Sequence, residues 1–294
     1  MVRAQCNWTG HRCRKYENMA YMRKVASLVI LFAALTAGAD SPVSDSYDAF
    51  HFQQVVADQN PEDYERVLVP ITTRTVHGVG GAIWSTELRI FNSAHETLTM
   101  FGPSVDPSLV VDVLQTETEL IAPRTGNVDG AFLHIPKSLA TAPKFALRVR
   151  DTSGGKNILG SEMPVVPVEE FTNEITFVDL PWERRFRGTL RIYSENEAPM
   201  QVLVTVYLED GNTPREQFTV DLHGIVHALP DPFPTHPAYA AIQGITPGMH
   251  SGRNPSRITI SNMSSIITPA PAKIWAMLSI TDNETQQVTV LTPQ

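Results

Sequence analysis

The chain has 294 residues, 42% of them hydrophobic and 18% charged, with a formal net charge of −8; that is apolar material for one or two ordinary cores and excludes a solvated polar tract. Twenty-two prolines against 17 glycines, with 8% aromatics, disfavour a long-helix protein and carry no collagen period, so turn-rich β structure fits best. Two cysteines exclude a disulfide scaffold.

Met22-Arg23-Lys24 precedes an apolar stretch from Val25 to Leu35, and Ala37-Gly38-Ala39 closes it before Asp40. A basic start, a short apolar stretch and an A-x-A-like end predict a secretory signal peptide over residues 1–39. The stretch is too short for a membrane span, which needs roughly 20 apolar residues. Residues 1–21 then read as an over-long start, with translation beginning at Met19 or Met22. Cleavage before Asp40 leaves 255 residues, removes Cys6 and Cys13, and leaves 17 basic against 30 acidic groups, a formal −13. The expected location is secreted or periplasmic. An acidic chain opposes phosphate backbones and anionic lipid, so no nucleic acid and no membrane partner is expected after cleavage.

Residues 40–63 read as an N-terminal arm or linker, in which Tyr47 to Asn60 is either a short helix or a docked segment. From Arg66 onward the texture is β. Val67, Leu68, Val69 and Ile71 form an apolar run, and Trp84 to Phe91 places Thr86, Leu88 and Ile90 on one face with Glu87 and Arg89 on the other, the period of a half-buried strand. Phe145 to Arg150 alternates in the same way before a turn at Asp151–Gly155. Further on, Val202, Val204, Val206 and Leu208 share a face, Asp210-Gly211 supplies a turn, and Phe218, Val220 and Leu222 alternate with Thr219 and Asp221, which predicts an antiparallel hairpin. After Arg66 no run of apolar residues keeps helical spacing.

Two segments repeat at an offset of 102: Leu88-Arg89-Ile90-Phe91 and Leu190-Arg191-Ile192-Tyr193, each preceded by a tryptophan, Trp84 or Trp182. Phe145-Ala146-Leu147 before Asp151 resembles Trp275-Ala276-Met277 before Asp282. An offset of this size is that of one β-sandwich. The expected organisation is therefore a first sandwich domain over 64–168 and a second over 169–294, joined through Met163–Glu170, where Pro164 and Pro167 stiffen the chain. The second carries a Pro-rich loop at 229–252, with Pro230, Pro232, Pro234, Pro237 and Pro247. Such a loop is the first place to expect a binding surface.

On the paired Trp84…Phe91 and Trp182…Tyr193 segments and the terminal stretch Ile274–Asn283, the chain resembles tandem immunoglobulin-like or fibronectin-type-III-like sandwiches of secreted bacterial proteins. It resembles, too, uncharacterised exported proteins of soil bacteria. The inter-sheet disulfide of antibody domains is absent, so the resemblance implies the cysteine-free versions of the fold, all-β with two tandem antiparallel sandwiches. It carries no active site.

The residues offer little chemistry. His223 and His227 on a strand would sit about 13 Å apart, too far for one ion, and His236 lies further along. Gly248-Met249-His250-Ser251-Gly252 has its serine one place late for a nucleophile elbow, and Gly154-Gly155-Lys156-Asn157 lacks the spacing of a phosphate loop. Glu117 with Glu119, Glu169 with Glu170, and Asp282 with Glu284 are close in sequence, but a catalytic pair is set in space. Trp84, Trp182 and Trp275 suit core packing better than sugar stacking, and Asn262-Met263-Ser264 and Asn283-Glu284-Thr285 match the glycosylation pattern. No catalytic residue, no metal ligand and no cofactor is assigned, and binding residues stay unassigned. The expectation is an exported non-enzymatic binding, adhesion or structural protein with a protein or glycan partner outside the cytoplasm; the alternative is a carbohydrate-binding or glycoside-cleaving sandwich protein.

Overall fold

The computed structural model describes residues 59–72, 76–77, 81–93, 98–101, 110–113, 118–121, 130–139, 141–153, 160–181, 183, 185–208, 213–224, 233–234, 236–245, 255–263, 272–285 and 287–293. The expected signal peptide and all but the end of the arm lie outside them. The strands in chain order are β1 (Tyr64–Val69), β2 (Val76–His77), β3 (Ile83–Phe91), β4 (Leu98–Phe101), β5 (Val110–Val113), β6 (Thr118–Ile121), β7 (Ala131–Pro136), β8 (Lys144–Asp151), β9 (Ser161–Met163) and β10 (Val166–Pro167). They continue with β11 (Glu174–Val178), β12 (Phe186–Ser194), β13 (Met200–Leu208), β14 (Pro214–Leu222), β15 (Tyr239–Gln243), β16 (Pro255–Asn262), β17 (Ile274–Asp282) and β18 (Val288–Leu291). Among the described residues there is no α-helix.

All pairing is antiparallel and gives four sheets, β10-β1-β7-β4-β5, β2-β3-β8-β9 with β6 also on β3, β15-β12-β17-β18, and β11-β16-β13-β14. Among the described residues β1 to β10 pair only with one another, as do β11 to β18. The alternation read from the sequence dictates the facing: Leu88 and Ile90 of β3 and Leu147 and Val149 of β8 meet Val67, Leu98, Met100, Leu133 and Ile135 in one core. Leu190, Ile192, Leu278 and Ile280 meet Ile175, Phe177, Val202, Val204, Ile258 and Ile260 in the other. The four sheets thus pair into two β-sandwiches, and the segment expected to join them contributes β10, whose Val166 and Pro167 edge β1 opposite Leu68 and Val67. Pro167 sits where a missing ladder donor costs least, on an edge.

Each sandwich has the same strand plan. Numbering β1 and β3–β9 from one to eight, and β11–β18 likewise, both read 1-6-3-4 in one sheet and 5-2-7-8 in the other. The immunoglobulin plan differs from the outset, since there the first two strands share a sheet; here they lie in opposite sheets. The sandwich expectation holds in this coarser form, with its own connectivity.

The ladder also resolves the repeat. Leu88 faces Leu147 and Trp84 faces Asp151 across β3 and β8, while Leu190 faces Leu278 and Phe186 faces Asp282 across β12 and β17. The counterpart of Trp84 is therefore Phe186 and not Trp182, which lies outside the described residues. Phe145-Ala146-Leu147 corresponds to Ala276-Met277-Leu278, one residue later than sequence similarity alone places it.

The hairpin expected from Val202 to Leu222 is β13–β14, with Val202 opposite Val220 and Val204 opposite Phe218; its Asp210-Gly211 turn lies outside the described residues. The described residues all belong to one compact unit, Asp48–Gln294.

Candidate functional site

The first core does not end with the first sandwich. Tyr193, Tyr239, Trp275 and Met277 belong to it, although all four are carried by the β12 sheet. Strand parity explains the assignment: Leu190 and Ile192 point into their own core, so Tyr193 points out of it. The Tyr193 ring packs against Tyr239 at 5.1 Å and Trp275 at 6.0 Å between centroids, and its hydroxyl donates to the carbonyl of Pro70. Gly130, at φ +78°, makes room for that ring, since a Cβ there would stand 2.9 Å from Tyr193 Cε1. Trp275 is thus a packing residue, as is the half-buried Trp84.

Two further side chains of the β1 sheet reach the second sandwich in the same manner. Arg66 and His134 face each other across β1 and β7. Arg66 Nη1 donates to the Glu195 carbonyl at 3.0 Å with its guanidinium 5.1 Å above the Phe132 ring, and Phe132 packs on Phe171 at 6.4 Å. His134, 2% exposed, places Nε2 2.8 Å from the Pro234 carbonyl, as a donor to it. Phe233 is buried with its ring edge-on to both His134 and Tyr64, at 5.2 and 5.5 Å. At Phe233 and Pro234 the Pro-rich loop is therefore a clasp between the sandwiches. Its residues 229–232, 235 and 246–252 lie outside the described residues.

Burial of Arg66 lowers its pKa, and Glu195, Glu169 and Glu197 oppose that shift. Glu65 on the same strand is raised, first by burial and then by Glu169, with Lys137 acting against. The buried Glu197 accepts the backbone N–H of His236 at 2.9 Å, and Gly224 lies so close to the Glu197 carbonyl that a Cβ there would stand 1.8 Å from it. The junction's polar groups meet mostly backbone atoms, an arrangement for holding two bodies together.

The remaining candidates do not converge. His223 is exposed and bridges Tyr239 through its backbone, while His227, Ser251, the 154–157 segment and Glu117 lie outside the described residues, as does the Glu119 side chain. Glu169 and Glu170 are exposed on a 3-10 turn, Val168–Glu170. Asp282 and Glu284 share Arg185 at 3.9 and 3.8 Å. Asp282 Oδ1 accepts the N–H groups of Glu284 and Thr285, and the equivalent Asp151 Oδ1 accepts those of Ile83 and Ser153. These donors lower both pKa values; each aspartate closes its strand, one more correspondence between the sandwiches. The Asn262 amide donates to the Ala272 carbonyl, and Asn283 is exposed. Among the described residues no three His, Cys, Asp or Glu side chains gather as metal ligands.

Besides the ion-paired Glu87, Arg89 and Arg150 on the β3 sheet, a further surface with organised polar chemistry among the described residues is the outward face of the β13 sheet, which the sequence alone did not single out. Its rows follow from the register: Val178, Arg257 and Tyr207; then Thr176, Thr259, Thr205 and Gln217; then Glu174, Ser261, Leu203 and Thr219; then Gln201 and Asp221, beside Met263. The Arg257 guanidinium lies 4.0 Å from the Tyr207 ring centroid, and Gln217 Nε2 donates to Thr205 Oγ1 at 3.2 Å. The sequence signal was available, as the polar half of the Val202–Val206 alternation read across the neighbouring strands.

Comparison with protein-family models, with characterised proteins and with solved structures finds no match to this chain.

Proposed function

We propose that the chain is an exported, non-enzymatic binding or structural protein, a two-module β-sandwich scaffold that acts outside the cytoplasm through its surface. The observation that carries this reading is the junction: Tyr193, Arg66 and His134 each bond a backbone carbonyl of the other sandwich around a shared aromatic core. Such fixing suits a protein that presents surfaces at a set angle, because a rigid display lowers the ordering cost of binding. Export is part of the reading and rests on the Met22–Ala39 segment, and the partner is a protein or glycan.

Two measurements test it. Edman sequencing of the protein recovered from the periplasm or medium is expected to start at Asp40; a chain retained in the cytoplasm with its N-terminus intact refutes export. A hydrolase substrate panel is expected to give no turnover, and robust turnover abolished by one point substitution would falsify the non-enzymatic role. Saturable binding on a glycan array would assign the partner class as glycan.

A further inference from the structure

The β1 and β13 sheets hold corresponding places in the two sandwiches, yet their outward faces differ in fate. That of the β1 sheet, with Arg66, Phe132 and His134, is covered by the second sandwich. That of the β13 sheet, apart from the buried Thr205, stays half-buried or exposed throughout. The two large hydrophobic residues exposed among the described residues, Val178 at 37% and Met263 at 43%, both lie on it. They occupy opposite ends, and so do the charges: Arg257 shares its row with Val178, while Asp221 lies at the Met263 end and Glu174 one row in from it. The buried Arg257 Nε makes no hydrogen bond. Between the ends run threonines, Leu203 and Ser261, side chains that lose little rotamer freedom when covered.

We propose that this face is the contact surface of a symmetric dimer, in which a second copy lies face to face upon it about a two-fold axis running along the rows. A two-fold requires a self-complementary patch. This face meets that requirement, because the axis sets the cationic end of one copy over the acidic end of the other and covers Val178 and Met263 in both. The patch spans roughly 20 by 20 Å, small for a permanent interface, so the dimer forms in the micromolar range or weaker. The proposal goes beyond the binding role above and its failure leaves that role standing.

Sedimentation equilibrium on the full chain under reducing conditions, from roughly 1 μM to 1 mM, tests it. A concentration-dependent dimer is expected, weakened about tenfold or more by Thr259→Arg and by Val178→Asp. Arg257→Glu and Asp221→Arg each weaken it, and the two combined in one chain recover most of the loss, since each copy then offers the swapped charge to its partner. Near-UV circular dichroism confirms that each variant is folded. A monomer at every concentration overturns the proposal, as does a dimer that these folded variants leave unchanged.

Discussion

Tyr193 does two jobs, filling the junction with its ring and satisfying the buried Pro70 carbonyl with its hydroxyl. Tyr193→Phe keeps the ring and leaves that carbonyl without its donor, so a loss of about 1–3 kcal/mol is expected in urea unfolding; Tyr193→Ala opens a cavity and should cost about 3–5 kcal/mol. Gly224→Ala forces a Cβ against the Glu197 carbonyl and should cost about 1–3 kcal/mol although no contact is deleted. Asp151 and Asp282 give the pH dependence. Their pKa values lie lower in the folded protein than in the unfolded chain, so their stabilisation is present above the unfolded value and drains away as pH falls through the folded one. In melting-temperature profiles taken below about pH 4, Asp151→Asn and Asp282→Asn should flatten the acid-side decline; an unchanged slope would remove these carboxylates from the account. At this scale the sequence was readable for Asp151 and Asp282, as strand-ending turn residues. It was silent on Phe233, whose proline-flanked position reads as open loop until His134 and Tyr64 are seen around it.

Among the described strands β17, like β7, has no solvent side over most of its length. Every residue from Ile274 to Ile280 is buried, because Leu278 and Ile280 face the second core while Trp275 and Met277 face the first. The sequence held this in the open: the run Ile274-Trp275-Ala276-Met277-Leu278 drops the alternation seen in β3 and β8, and loss of alternation is what a strand covered on both faces shows. The period-2 rule found the strands, whereas the choice of sheet partner depends on contacts far apart in the chain, such as Leu88 with Leu147 and Leu190 with Leu278, which no local pattern encodes. For the same reason the repeat was legible at Leu88 and Leu190, where strand and offset agree, and slipped by one residue at Phe145, where only the ladder fixes the register. Native-state hydrogen exchange should place the β12 and β17 amides among the slowest, exchanging only with global unfolding, and the β14 edge and the two-residue β2 much faster. Rapid exchange in β17 would show the junction to open on its own.

For the whole molecule the expectation is a single unfolding event. Tandem domains joined by a plain linker melt separately; here one hydrophobic cluster takes residues from both sandwiches, so neither can unfold without exposing part of the other's packing. Calorimetry should give one transition with equal calorimetric and van't Hoff enthalpies, and two resolved transitions would contradict the shared core. The second sandwich made alone, from residue 169, should aggregate or bind hydrophobic dyes, because Tyr193, Tyr239, Trp275 and Met277 would face water. The doubly covered β17 strand also bears on biogenesis. Every strand of the first sandwich emerges before β12, β15 and β17, which carry Tyr193, Tyr239, Trp275 and Met277 into its core, and the finished half must wait, with an apolar face open to capture by other chains, until β17 arrives. Folding order is thereby set against the order of synthesis, and the closing strands decide the solubility of the opening ones.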